Sequence, residues 1–273
     1  MTETKMLRVD DKYQLHIVSH TIDNPKANLV LVHGYAEHSA RYEHFFKEAN
    51  LKGINVYSFD KRGHGKSEGL KAYLPNLDDL VLDIGRVIDH FDLRKKTFLM
   101  GHSLGGLLAT RYCLTQDQAN VQGLITSAAA LEIDKDLSPL LQALAPILGK
   151  ILPKMKTEKL DTTYLTRSKE VKEAYFADPL VYNEGTRART GAEMLKGIKN
   201  TPALFAKLTI PLLAMHGSAD GLTMPDGTIR FYKEASSTDK TLKIYDGFYH
   251  ELVNEPEKAS VINDILTWIL KRA

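Results

Sequence analysis

The sequence contains a single cysteine, Cys113, so no internal disulfide can form and the fold must be held by its core. No uncharged apolar run reaches the roughly eighteen residues that a membrane-spanning helix needs, which leaves peripheral contact as the only expected meeting with a bilayer. Charge of neither sign dominates: 36 Lys and Arg face 34 Asp and Glu, with no block of about five like charges. That balance excludes a nucleic-acid surface and an acidic tail, and a neutral or weakly charged ligand fits better. The polar start Met1-Thr2-Glu3-Thr4-Lys5 lacks the apolar stretch of a secretory signal, so a cytoplasmic location is expected. Internal repeats, low-complexity tracts and Gly/Ser-rich linkers are missing too, as are metal-ligand spacings and dinucleotide fingerprints. Neither a metal nor an organic cofactor is expected.

What is present is enough for one large core: 273 residues, 43% of them hydrophobic. Short aliphatic runs recur at Asn28 to Val32, Asn55 to Phe59, Thr97 to Met100, Gly123 to Thr126, Pro211 to Met215 and Thr241 to Tyr245. Continuous apolar strands of this kind belong in a parallel sheet covered on both faces. Between them Leu77, Leu80, Val81, Ile84, Val87, Ile88 and Phe91 recur at helical spacing, and Val261, Ile262, Ile265, Leu266 and Ile269 repeat the pattern near the end. Tyr13 to Val18 reads as an early antiparallel strand. The order therefore predicts an α/β, doubly wound, mostly parallel sheet of about eight strands.

The alternation stops between Leu131 and Ala206, where helical stretches appear and no strand is predicted. We expect residues 131–206 to form a helical cap inserted after the sixth strand, with 1–130 and 207–273 forming the core. In the cap, Ser138-Pro139 is an N-cap and first-turn pair. Leu140, Leu141, Leu144, Ile147, Leu148, Ile151, Leu152 and Met155 then make a wide apolar stripe flanked by Lys150, Lys154 and Lys156, with no acid from Leu137 to Thr157. The composition suits a membrane or micelle surface, and equally a helix packed down on the core. Pro146 is expected to kink or split this helix.

Gly101-His102-Ser103-Leu104-Gly105 sits between the apolar run Thr97 to Met100 and the helix-compatible Leu107, Leu108, Ala109 and Tyr112. A sharp strand-to-helix turn forces its central serine into a strained conformation, and flanking glycines remove the Cβ atoms that would clash. The serine then stands at the top of the sheet over a helix N-terminus, as a nucleophile elbow of the α/β-hydrolase fold does. A serine hydroxyl is a weak nucleophile and needs an imidazole base held by a carboxylate. In this fold the acid and then the histidine follow the serine. Of the two downstream histidines, His216 is placed to support the turn of Gly217-Ser218-Ala219-Asp220, whereas His250 lies between the last strand and the final helix. Ser103, Asp220 and His250 are the expected triad, with Asp226, Asp246 and Glu251 as rival acids. His16, His20, His44, His64, His90, His102 and His216 are read as structural. The loop His33-Gly34-Tyr35 should supply the second oxyanion donor, making the two backbone N–H groups those of Tyr35 and Leu104.

Over nearly its whole length the chain resembles the monoacylglycerol lipases and the wider lysophospholipase-like group. The resemblance rests on His33-Gly34, Glu37-His38-Ser39 with Arg41-Tyr42, Gly63-His64-Gly65 with Ser67-Glu68-Gly69, Gly101 to Gly106, Asp178-Pro179-Leu180, Leu208 to Pro211, Gly217 to Asp220, and Asp239 to Tyr245 leading to Tyr249-His250. It implies hydrolysis of a monoacylglycerol to fatty acid and glycerol, with a lipid or small ester as partner. It also implies glycerol contacts at Glu37 and Arg41, with Tyr175 of the cap a weaker match. The other reading of Glu37 and Arg41 is surface polarity with a salt bridge at a helix end, and His38 stays open between the two. Tyr35 puts a bulky ring where some relatives carry a small residue, and Cys113 is read as core. The alternatives are a carboxylesterase or lysophospholipase acting on another alcohol, and a non-catalytic ligand-binding relative, which would ordinarily lack a triad member.

Overall fold

The computed structural model describes residues 1–93, 96–116, 118–135 and 137–273. Among them, eight strands form one sheet: β1 (Thr2–Arg8), β2 (Gln14–His20), β3 (Ala27–Val32), β4 (Ile54–Phe59), β5 (Thr97–His102), β6 (Gly123–Ser127), β7 (Leu212–Gly217) and β8 (Lys240–Tyr245). Their order is β1-β2-β4-β3-β5-β6-β7-β8. The β1–β2 and β2–β4 pairings are antiparallel and the others parallel. Every residue of β4, β5, β6 and β7 is buried, which is why those runs read as continuously apolar. The strand not foreseen is β1. It pairs with β2 from Thr2↔His20 to Arg8↔Gln14, but as a largely exposed edge strand it carries no apolar alternation to reveal it.

Successive residues of a strand face opposite sides of the sheet, so β3 feeds two separate cores. Val30 and Val32 join α2 (Leu77–His90) and α3 (Leu104–Thr115) on one side. Leu29 and Leu31 join α1 (Glu43–Leu51) and α8 (Lys258–Leu270) on the other, through Phe45, Phe46, Val261, Ile265 and Trp268. The apolar stripe predicted for α2 is its buried face, and Asn76 caps it by accepting from Asp78 N–H. Cys113 lies fully buried on α3.

Between β6 and β7 stand α4 (Pro139–Ile151), α5 (Lys169–Ala177) and α6 (Ala188–Asn200), and among the described residues an isolated bridge joins Lys156 and Arg187. Of the kink or split expected at Pro146 the split is absent, since α4 runs on through Pro146 to Ile151. Leu152 and Met155 fall beyond its end, so the stripe is shorter than read. Ser138 occupies the N-cap position without a side-chain cap bond, and Pro139 follows at N1. The helix packs on α6 closely enough that a Cβ on Gly149 would meet Ala192 Cβ at 2.7 Å. Leu140, Ile147 and Ile151 are left exposed.

Candidate active site

The turn from β5 into α3 is as tight as its glycines suggest. Ser103 has φ 54° and ψ −121°, a region that L-residues with a side chain avoid unless surrounding contacts hold them there. Those contacts are backbone to backbone: Ser103 N–H donates to Ser127 O at 3.0 Å, and Ser103 O accepts from Leu107 N–H at 3.1 Å. A Cβ on Gly101 would lie 2.2 Å from Gly105 O, and one on Gly105 would lie 2.1 Å from Val32 O. Only glycine admits so close an approach of helix, elbow and β3. The strain raises Ser103 out of the sheet to line a cavity of about 210 Å³ that His250, Tyr35, Glu37, Leu165 and Glu251 also line.

His250 and Asp220 arrive from the ends of β8 and β7. His250 Nδ1 is 2.7 Å from Asp220 Oδ2, and because a carboxylate only accepts, the ring proton is on Nδ1. Nε2 is thereby left to act as an acceptor. Asp220 is held in turn: Oδ1 accepts from Leu222 N–H at 2.8 Å and Thr223 N–H at 3.1 Å, and Oδ2 accepts from Thr223 Oγ1 at 2.9 Å. His216 Nε2 stands 3.0 Å from the same oxygen, so His216 supports the Asp220 turn, while Thr228 Oγ1 meets its Nδ1 at 2.7 Å. Burial would raise the Asp220 carboxyl, yet the His250 charge and the His216 and His250 hydrogen bonds hold it well below the usual carboxylate range. His250 shows the reverse balance. Burial works against its charged form, and Asp220 more than offsets this, so its pKa lies above the ordinary histidine value.

The rival acids are engaged elsewhere. Asp226 pairs with Lys135 on the surface, Asp246 accepts from Ser218 Oγ, and Glu251 faces Arg41. Five other histidines hold local structure: His16 meets Asp60, His20 meets Thr2, His44 meets Val253 O, His64 meets Arg62 O and His102 meets Ser127 O, whereas His90 is exposed beside the Phe91 ring. Burial, reinforced by His250, draws His102 down to about 4 and keeps it neutral beside the elbow. His38 bridges to Asp178 Oδ2 at 2.8 Å, tying the loop after β3 to the inserted helices.

Tyr35 follows Gly34 in that loop, and Leu104 opens α3. Neither backbone N–H has an acceptor among the described residues, as donors awaiting an anion require. Glu37 is buried and accepts from Gly34 N–H at 2.5 Å, Tyr42 Oη at 2.7 Å and Arg41 Nη1 at 2.8 Å. The Arg41 guanidinium also forks onto both oxygens of Glu251 and lies 4.8 Å over the Tyr175 ring. Glu37 and Tyr175 line the Ser103 cavity, whereas Arg41 lines a separate outer cleft with His38 and His44. The salt bridge of the alternative reading is present, but in a buried network and not on the surface.

Three contributors were not legible beforehand. Thr223 Oγ1 reaches Asp220, His250 Nδ1 at 3.2 Å and Ala128 O at 3.0 Å. Tyr164 O and Leu165 O accept from the N–H groups of His250 at 3.1 Å and Glu251 at 2.9 Å, so the inserted segment fastens the histidine loop directly. Lys61 lies buried beneath the loop after β3. Glu251 stood beside His250 in the sequence, but nothing local marks its partner.

The sequence model of the family described as serine aminopeptidase, S33, matches residues 23–257. The chain belongs to the serine aminopeptidase S33 family. Among this S33 protein's relatives is a monoacylglycerol lipase of Mycolicibacterium smegmatis, 35% identical over 90% of this chain and 89% of that protein. Human monoglyceride lipase is 32% identical over 91% of this chain and 84% of its own length. The crystal structure of a Paleococcus ferrophilus monoacylglycerol lipase superposes with a TM-score of 0.87 at 30% identity, covering 95% of this chain and 99% of that one. The S33 chain is thus an α/β-hydrolase, and no helix among its described residues is long and apolar enough to cross a membrane.

Proposed function

We propose that the protein hydrolyses monoacylglycerols to fatty acid and glycerol through an acyl-enzyme on Ser103. The observation that carries this is the strained Ser103, sharing one cavity with a His250 whose Nδ1–H is held by Asp220. Relatives named for monoacylglycerol hydrolysis support the substrate class. His250 Nε2 takes the hydroxyl proton as Oγ attacks the ester carbonyl, and the N–H groups of Tyr35 and Leu104 receive the oxyanion. The C–O bond to glycerol breaks as that proton passes to the leaving oxygen. Water then loses its proton to His250, attacks the acyl carbon, and frees the fatty acid and Ser103.

Residues 131–206 act as the cap in this reading. Leu165, Met194, Leu195 and Ile198 give the Ser103 cavity an apolar wall for the acyl chain, and the Glu37, Glu251 and Tyr175 side gives it a polar end for glycerol. Leu137 and Leu195 also border a second, about 400 Å³ cavity beneath α4, which extends the apolar path. On the outer face Leu140, Leu144, Ile147 and Ile151 are exposed beside Lys150, a surface for peripheral contact with membrane or micelle from the cytoplasmic side.

The deciding experiment compares initial rates on mono-, di- and triacylglycerols, lysophospholipids and an aminoacyl anilide of the wild-type protein and Ser103→Ala. Monoacylglycerol should be fastest, with the rate lost in Ser103→Ala. Triacylglycerol hydrolysis that is equal or faster refutes the polar end of the pocket, and preference for the anilide refutes the ester reading.

A further inference from the structure

Lys61 follows β4 in Asp60-Lys61-Arg62-Gly63, and its side chain is only 1% exposed. A lysine so deeply buried must have its amine satisfied by neighbours. Nζ donates to two successive carbonyls, His33 O at 2.6 Å and Gly34 O at 2.8 Å. The His33 ring completes the arrangement. Its Nε2 accepts from Lys61 N–H at 3.0 Å, which puts the ring proton on Nδ1, 2.9 Å from Gly34 O and 2.6 Å from Nζ. Two of the amine's hydrogens serve the two carbonyls and Nδ1–H serves Gly34 O, while Nζ, also 3.2 Å from Nε2, lies against the ring and off the Nδ1–H axis. Burial draws Lys61 down to about 7 against the opposing pull of Glu37 and Asp60.

A peptide unit is planar and trans, so its carbonyl and its N–H point in opposite directions. Lys61 grips two such units from behind. The first, His33–Gly34, aims its N–H at Glu37 Oε1 at 2.5 Å. The second, Gly34–Tyr35, presents an N–H with no acceptor among the described residues, on a residue that lines the cavity with Ser103. Both carbonyls are tied down, and one of the two opposing donors is left free.

We propose that Lys61 is a positioning residue of the oxyanion site: by fixing Gly34 O from behind, it aims the Tyr35 N–H at the oxygen that becomes anionic. This rests on the serine-ester reading above, with Tyr35 N–H as a donor. A hydrogen bond received at a carbonyl also polarises the N–H of the same peptide, so the lysine strengthens the donor as well as aiming it. Lys61 itself touches no substrate.

The test measures kcat and KM on a soluble butyrate ester for wild type, Lys61→Met and Lys61→Gln, each normalised to sites titrated with a fluorophosphonate. Lys61→Met removes the amine, and Lys61→Gln, one bond shorter, cannot span both carbonyls. Loss of a whole oxyanion donor costs on the order of 100- to 1000-fold in kcat, so misaiming one should cost about 10- to 100-fold in Lys61→Met and about fivefold or more in Lys61→Gln, with KM within about threefold. Affinity for a trifluoromethyl ketone, whose adduct on Ser103 carries an oxyanion, should fall in parallel. A wild-type kcat in Lys61→Met overturns the proposal, and if that variant does not fold, a wild-type kcat in Lys61→Gln overturns it. Lowered kcat with unchanged ketone affinity overturns it too. Failure of the wild type to react with the fluorophosphonate would instead sink the serine reading itself, so the two failures are distinguishable.

Discussion

Arg41 places two guanidinium N–H groups on the two carboxylate oxygens of Glu251, 210 residues away and next to His250. A third bond from the same group reaches Glu37 Oε2 at 2.8 Å, so one cation separates two buried carboxylates. Arg41→Ala should therefore destabilise the protein by about 3 to 5 kcal/mol, because uncompensated buried charge is the costly remnant of a broken pair. Arg41→Lys should restore only part, since a single ammonium cannot fork onto both oxygens. Urea denaturation of the three proteins checks this. If Arg41→Ala is as stable as wild type but raises KM for monoacylglycerol alone, Arg41 is a substrate contact rather than a strut.

Ser103→Ala and His250→Ala should each lower turnover by several orders of magnitude while leaving the fold intact, because the groups act as a unit. Asp220→Asn should be nearly as severe. Turnover within tenfold of wild type in any of the three, measured on protein with an unchanged melting temperature, is evidence against the assignment.

The pH profile carries a sign that can be checked. His250 works as a base only when neutral, and Asp220 holds its pKa above 6.5, so kcat/KM should rise with pH through a midpoint above that value. Residual activity in Asp220→Asn should rise through a lower midpoint, the raising charge having gone. An unmoved midpoint would assign the limb to another group.

Asp60 anchors the loop after β3 by accepting from Ser39 N–H at 2.8 Å, Ser39 Oγ at 2.7 Å and Lys66 N–H at 2.9 Å. Burial alone would raise its carboxyl, but these bonds and His16 lower it from 3.8 to about 2. A depressed carboxylate stabilises the fold above its unfolded pKa and loses that contribution as pH falls, here between about 4 and 2. The contribution is about 2 kcal/mol. Stability of the wild type should fall more steeply than that of Asp60→Asn across that window, as followed by denaturation midpoints. Parallel curves would mean that Asp60 titrates alike in the folded and unfolded protein.

The exposed face of α4 is tested by Ile147→Lys with Ile151→Lys, positions 53% and 69% exposed. Burying one such side chain in an apolar phase is worth about 1.5 to 3 kcal/mol, so the double change should cost tenfold or more on micellar long-chain monoacylglycerol. A water-soluble butyrate ester should be hydrolysed at the wild-type rate. Equal loss on both substrates, with a lowered melting temperature, would mark the face as structural.

Much of this protein is written locally in its chain. The buried strands, the amphipathic α2 and α8, and the glycine-flanked Ser103 are legible because each is dictated by residues within a few positions: burial on both faces gives an apolar run, burial on one face gives helical spacing, and a forced positive φ demands glycine neighbours. The exposed edge strand β1 escaped, and the choice at Pro146 between a kink and a split was left open, since partners rather than propensity decide an edge strand and a helix through proline. What only the tertiary structure decided is which polar group meets which. Arg41 and Glu251, Thr223 and His250, and Lys61 and the Gly34 carbonyl are joined by the packing of separate β–α units. Ion pairs and hydrogen bonds depend on separations of about 3 Å, which the sheet sets and no periodicity in the sequence records.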